Sequence, residues 1–178
     1  MRVYDAKVNH MTNPMGFFMD GVSFSWKVDE ARGKAQKAAR VRVAADEKMQ
    51  EILFDSGMDE QADSLAYPVE LALEPRTRYF WQVTVLSDAG EEADSEVQWF
   101  ETSKMSEEWT GKWLTCDNTE KRHPIFSKEI APAKEVAKAR LYVTGLGLYE
   151  AYIDGKKVGD EYLTPYSNNY NRWVQYQT

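Results

Sequence analysis

The stretch that most constrains the fold is Leu73-Glu-Pro75-Arg-Thr77-Arg-Tyr79-Phe-Trp81-Gln-Val83-Thr-Val85. Tyr79, Trp81, Val83 and Val85 recur at every second residue. A period of two sends them to one side of a β-strand, whereas a helix would scatter them around its axis. Rings and β-branched groups also suit a pleated surface. A strand with such a face needs a second layer to cover it. Leu73 and Pro75 lie just before it, at a corner. A Tyr that opens a late strand behind a corner matches the device by which Greek-key sandwiches bury a phenol and bond its hydroxyl to upstream backbone.

The neighbouring segments supply partners for that strand. Val3 to Val8 reads as a short opening strand, and Met11-Thr-Asn-Pro-Met-Gly16 as a loop. Phe24-Ser-Trp26 alternates and carries a large anchor. Ala39, Val41, Val43 and Ala45 keep a period of two. The Ala, Lys, Arg and Gln content of residues 34–50 would also suit a helix, but a helix would split the valines, so a strand is expected. Ile52-Leu-Phe54 is stopped by Asp55-Ser-Gly57, a turn signature. Leu65 to Leu73 reads as a strand that Pro68 confines to an edge or bulge. After Ser87-Asp-Ala-Gly90, Val97, Trp99 and Glu101 alternate with Gln98 and Phe100 in a last strand. Seven short strands with turns between them predict a β-sandwich. Over residues 15–102 the pattern resembles a fibronectin type III module, and such modules mostly space or position other domains. The expected face assignment points Phe80 and Phe100 away from the core. They are either scattered surface aromatics or an interdomain contact.

The second half opens with a polar joint at 103–108, then Trp109 and Trp113, read as indoles covering that joint. Ile125–Ile130 is expected to be a strand. Ala139, Leu141 and Val143 predict another, followed by a Gly corner at Gly145-Leu-Gly147 and a return through Tyr149, Ala151 and Ile153. Asp154-Gly155 is a strong hairpin signal, because both central positions of a type I′ turn need φ > 0. Gly145-Leu-Gly147 lacks the third glycine and the following helix of a phosphate loop. Arg172-Trp-Val-Gln-Tyr176 is still strand-like near the end. The expected organisation is therefore 1–104 as one sandwich and 105–178 as the first part of a second, jelly-roll-like sandwich that continues in a longer protein.

Composition narrows the function. The net charge is −7. Residues 1–104 hold twelve Lys/Arg against nineteen Asp/Glu, and residues 105–178 hold ten of each. An acidic chain without a basic stripe is a poor partner for nucleic acid. No segment reaches the ~20 apolar residues of a membrane span, and no apolar leader is visible, so a cytoplasmic location is the default expectation. Cys116 is the single cysteine and reads as a small half-buried hydrophobe, with no intrachain disulfide and no thiolate zinc site expected. No metal or cofactor is expected. His10 and His123 lack a nucleophile to pair with. Glu150, Asp154, Asp160 and Glu161 cluster in sequence but read as a solvated hairpin end.

Several segments together carry a family resemblance. They are Asn13-Pro14 with Gly16, Phe24-Ser-Trp26, Gln36, Asp55-Ser-Gly57, Thr77-Arg-Tyr-Phe-Trp-Gln-Val83, Phe100-Glu-Thr102, and Trp109 with Trp113. Ala139-Arg-Leu-Tyr-Val143, Gly145-Leu-Gly-Leu-Tyr-Glu150, Ile153-Asp-Gly155, Val158-Gly159 and Leu163-Thr-Pro165 complete the set. In this order they resemble the N-terminal part of a bacterial α-L-rhamnosidase of glycoside hydrolase family 78. The chain departs from that pattern at Ala39, Ser103 and Asp154, where the family often has Tyr, Gly and Asn.

The resemblance implies an all-β region ahead of an (α/α)₆-barrel catalytic domain that removes terminal α-L-rhamnose with inversion. Catalytic residues would then lie beyond Thr178, with none in this chain. Its partners would be its own downstream catalytic domain and, for the parent enzyme, rhamnose-containing glycans or glycosides. Two other functions stay open: a carbohydrate-binding module, or a generic fibronectin-type interaction module. For the former, Tyr166, Asn168, Asn169 and Tyr170 combine aromatic faces with amide donors on one loop, though Asn also serves turns.

Overall fold

The computed structural model describes residues 1–117 and 123–164. One compact unit spans Met1–Glu108, and a second begins at Trp109.

The first unit is a β-sandwich of nine strands: β1 (Arg2–Val8), β2 (Met15–Phe17), β3 (Val22–Asp29), β4 (Gln36–Ala44), β5 (Ile52–Asp55), β6 (Tyr67–Val69), β7 (Arg78–Ser87), β8 (Glu92–Asp94) and β9 (Gln98–Thr102). The smaller sheet has the order β1-β3-β6. The larger has the order β2-β9-β7-β4-β5, and β8 pairs with β7 beyond the end of β9. All these pairings are antiparallel except β2 with β9. Residues 36–44 form the strand that the valine spacing predicts. Pro68 lies on the edge strand β6, where its missing N–H costs no ladder bond on the open side. Asn9, with φ 48°, helps close the bend after β1: its side chain accepts from the Ser23 amide at 2.8 Å.

The core lies between the sheets. The smaller sheet contributes Val3, Val8, Val22, Phe24, Trp26 and Val69; the larger contributes Val41, Val43, Tyr79, Trp81, Val83, Val85 and Phe100. Phe24 packs on Trp81 at 4.3 Å between ring centroids, and Tyr79 stacks on Phe100 at 5.2 Å. The corner ahead of β7 behaves as expected. The Tyr79 ring is buried, and its hydroxyl accepts a 2.7 Å hydrogen bond from the Glu74 amide. Trp26 donates to Gln36 at 2.9 Å, and Gln36 donates in turn to the Ala62 carbonyl at 2.7 Å.

Phe100 corrects one expectation. It does not point away from the core but is fully buried in it. Its register partner is Tyr79, and directly opposed residues share a sheet face. Trp99, opposite Phe80, is therefore the outward aromatic. Both residues are large and apolar, so alternation alone did not choose between them. Strand β2 overlaps the segment expected to be a loop, and β8 falls where the sequence offers no element; each has three residues, too few to show a period.

In the second unit the Asp154-Gly155 hairpin is present. Strands β10 (Tyr152–Ile153) and β11 (Lys156–Lys157) pair around it, with φ of 49° and 77° at the two turn residues. The strands expected at 125–130 and 139–144 are not formed. A strand's backbone groups need a neighbour to bond, and no ladder among the described residues reaches these segments.

Removing the Phe100 ring should cost about 3–5 kcal/mol, since it leaves a cavity between Tyr79 and Phe24. Urea unfolding of Phe100→Ala beside Phe80→Ala checks this. Phe80→Ala should lose far less, and equal losses would contradict the face assignment. Tyr79→Phe should cost about 1 kcal/mol through the lost corner bond.

Candidate functional site

The outer face of the larger sheet is the most differentiated surface of the first unit. Cross-strand pairing sets Ile52 opposite Ala44, Ala44 opposite Phe80, and Phe80 opposite Trp99. These four form an apolar row across β5, β4, β7 and β9, in which Ala44 is fully buried and stands where the β4–β5 register shifts. A polar row runs on each side. On one side Arg42 pairs with Gln82, donating to its side-chain oxygen at 2.7 Å. On the other, Glu101 and Arg78 stand in register, with the apolar Met15 on the far side of Glu101. The Arg78 guanidinium lies 3.9 Å from the centre of the Trp99 ring and bonds the Glu101 carboxylate at 3.1 Å. Glu101 is 1% exposed and Arg78 27%. A charge so far removed from water needs such a partner, because losing solvation without one costs several kcal/mol.

The residues singled out in the sequence fall in different places. Phe80 is half-buried in the apolar row, and Phe100 is in the core. Trp109 and Trp113 are 56% and 69% exposed in the second unit. Tyr166, Asn168, Asn169 and Tyr170 lie outside the described residues. Trp99 and Arg78 were missed; their signal was the register of β9 on β7, which the spacing of Tyr79 and Phe100 does not reveal.

An open groove of about 680 Å³ lies between β1 and the Asp94–Gln98 segment, lined by Arg2, Tyr4, Asp5, Asp94, Glu96 and Gln98 among others. Its polar groups are largely engaged with protein neighbours. Asp5 pairs with Lys7 and Lys27 at 2.8 Å each. Asp94 accepts from Thr84, and Arg2 covers the Tyr4 ring. Among the described residues no three His, Cys, Asp or Glu side chains come together as a metal site.

Comparison with known proteins bears on both units. Residues 3–106 match the family model of the Rha78A-like, N-terminal immunoglobulin domain, and residues 134–178 match that of the alpha-L-rhamnosidase N-terminal domain. An alpha-L-rhamnosidase of Formosa agariphila is 30% identical over 95% of this chain and 21% of its own length. The solved alpha-L-rhamnosidase of Streptomyces avermitilis, complexed with L-rhamnose, superposes with a TM-score of 0.60 at 32% identity, over 66% of this chain and 12% of that one. The enzyme from Dictyoglumus thermophilum gives 0.59 at 29% identity, over 66% and 14%. The chain thus spans about a fifth of the curated relative's length.

Five carboxyls among the described residues have displaced pKa values, all lowered by hydrogen-bonding partners. An inverting glycosidase needs one carboxyl held protonated near neutral pH. Each displaced carboxyl here moves the other way. Hydrogen bonds from Lys27 and Lys7 hold Asp5 down at about 2. Arg40, reinforced by the Gly57 amide, holds Asp55 at about 2. The Glu51, Gln50 and Lys48 amides lower Asp46. The Arg32 backbone and side chain lower Glu91, and Tyr152 and Lys157 lower Glu150.

A carboxyl lowered on folding stabilises the fold above its unfolded pKa, and the gain is lost as pH falls through the folded value. For Asp5 and Asp55 the window runs from the ordinary 3.8 down to about 2. The melting-temperature gap between the wild type and Asp55→Asn should be full above this window and shrink across it. A gap that stays constant would contradict the Arg40 pairing.

Proposed function

Because this chain belongs to the N-terminal regions of the α-L-rhamnosidases, its residues 3–106 being their immunoglobulin domain, we propose that it is the non-catalytic N-terminal part of a glycoside hydrolase that releases terminal α-L-rhamnose with inversion. The observation that carries this reading is the match over 95% of the chain to a relative of which it spans only 21%. In this reading the carboxyl pair that protonates the leaving oxygen and activates water belongs to a later domain of the same polypeptide. The present chain holds and orients that domain.

The second unit supports the same reading. Ile125 is 92% exposed, and Ile130, Leu146 and Tyr162 all exceed 70%. Several large apolar side chains left this exposed within one short unit invite a covering partner. We infer that later residues of the same polypeptide supply the strands that cover it and complete this second domain. The hydrophobic dye ANS should bind the 178-residue chain through this surface. Binding should be much weaker in the full polypeptide, and equal binding in both would contradict the inference.

The functional test is turnover of p-nitrophenyl α-L-rhamnoside. The full polypeptide should release p-nitrophenol and β-rhamnose, the inverted anomer. The 178-residue chain should release none. Turnover by the 178-residue chain that is lost on mutating residues within it would overturn the non-catalytic assignment. A full polypeptide inert on α-L-rhamnosides would overturn the substrate class.

A further inference from the structure

We propose that residues 103–108, a polar joint by sequence, form a rigid exit from the first unit, fastened by an ionic clamp of Arg76, Lys104 and Glu107, so that the chain pivots only farther on, around Gly111. The clamp itself stands on the geometry of the first unit. What it orients rests on the reading above, in which this chain holds a later domain of the same polypeptide.

The fastening starts at the corner ahead of β7. The Thr102 hydroxyl donates to the Glu74 carbonyl at 2.6 Å and accepts from the Thr77 amide at 2.9 Å. Glu74 is thereby shared, because its amide already serves the Tyr79 hydroxyl. Ser103, the residue after β9, is held from two sides. Its amide donates to the Phe17 carbonyl at 2.9 Å, and its carbonyl accepts from the Arg76 amide at 2.7 Å. The next residues fold back. Met105 donates its amide to the Ser103 hydroxyl at 2.9 Å, and the Glu107 amide closes a turn on the Lys104 carbonyl at 2.9 Å. Arg76 and Met105 both have left-handed backbone, with φ of 53° and 50°. A side chain on such a residue is strained, so the conformation persists only where the surrounding bonds hold it.

Charge completes the clamp. The Glu107 carboxylate meets the Arg76 guanidinium at 2.5 Å and the Lys104 ammonium at 3.7 Å. A lone exposed ion pair counts for little, since water and salt screen it and ordering two long side chains opposes it. Here the Lys104 side chain is only 12% exposed. The turn from Lys104 to Glu107 also places the carboxylate in advance, so little freedom remains to be lost. Past Glu108 the chain changes character. Thr110 to Trp113 are all exposed, and a side chain at Gly111 would meet no described atom within 4 Å. A glycine in open space gives the backbone its greatest freedom, which puts the pivot there.

Backbone NMR relaxation of the 178-residue chain tests this. Met105 and Glu107 should show amide order parameters of about 0.85, those of a rigid backbone, and Gly111 one below about 0.6. Glu107→Lys sets three cations together, and the amide at position 107 should then fall to the Gly111 level. Glu107→Gln, which removes the charge without adding a cation, should lower it in the same direction. In both variants the Thr102 amide should keep its wild-type value, which separates release of the clamp from unfolding of the sandwich. Low order at Met105 and Glu107 in the wild type would overturn the proposal. So would a Gly111 as ordered as β9, or an amide at position 107 that neither substitution moves. A full polypeptide inert on rhamnosides would leave these order parameters and the clamp standing, and would remove only the identity of the domain it orients.

Discussion

Strand β7 carries pairings on both of its edges, and the rest of the sandwich depends on them. On one edge it runs in register with β4 from Ala38 to Ala44; on the other it meets β9 and then β8. Because a strand's side chains alternate, these registers decide at once what is inside and what is outside. They send Tyr79, Trp81, Val83 and Val85 toward Phe24 and Phe100, and Arg78, Phe80 and Gln82 to the other side. A slip of one residue would bury Arg78 and expose Trp81. The Tyr79 hydroxyl, bonded to the Glu74 amide, pins the start of the strand against such a slip.

Much of this was legible in the sequence because it is local. The period of two in 79–85, the valine spacing in 39–45, the turn at Asp55-Ser-Gly57 and the Asp154-Gly155 hairpin each declare themselves within a few residues. The face assigned to Phe100 was not legible, since two adjacent aromatics satisfy either parity and only the partner strand decides. Strands β2 and β8 are set by their neighbours and not by their own residues. The segments at 125–130 and 139–144 have the alternation of strands but no ladder among the described residues. Sequence periodicity reports a propensity; pairing needs a partner. Family resemblance was carried by dispersed segments across both halves, and it matches the two family models.

The two units contrast in what they leave to others. The first holds its own core, with Phe24, Trp81 and Phe100 almost wholly removed from water, and its displaced carboxyls are tied to cations or amides. The second leaves Ile125, Ile130, Leu146 and Tyr162 in solvent. Among the described residues the carboxyls with displaced pKa values are lowered by hydrogen-bonding partners. The first unit is thus held by interlocking aromatics, whereas the bare apolar side chains of the second are the feature from which its completion by further chain is proposed.

Native-state hydrogen exchange of the 178-residue chain tests this contrast most directly. The backbone amides of the central strands β4 and β7, around the register pairs Val41–Val83 and Val43–Trp81, should exchange only through global unfolding and be the slowest in the chain. Amides between His123 and Glu150 should exchange far faster, as segments without a partner strand do. Similar protection in the two regions would contradict the account, because the second unit would then be folded without the chain proposed to complete it.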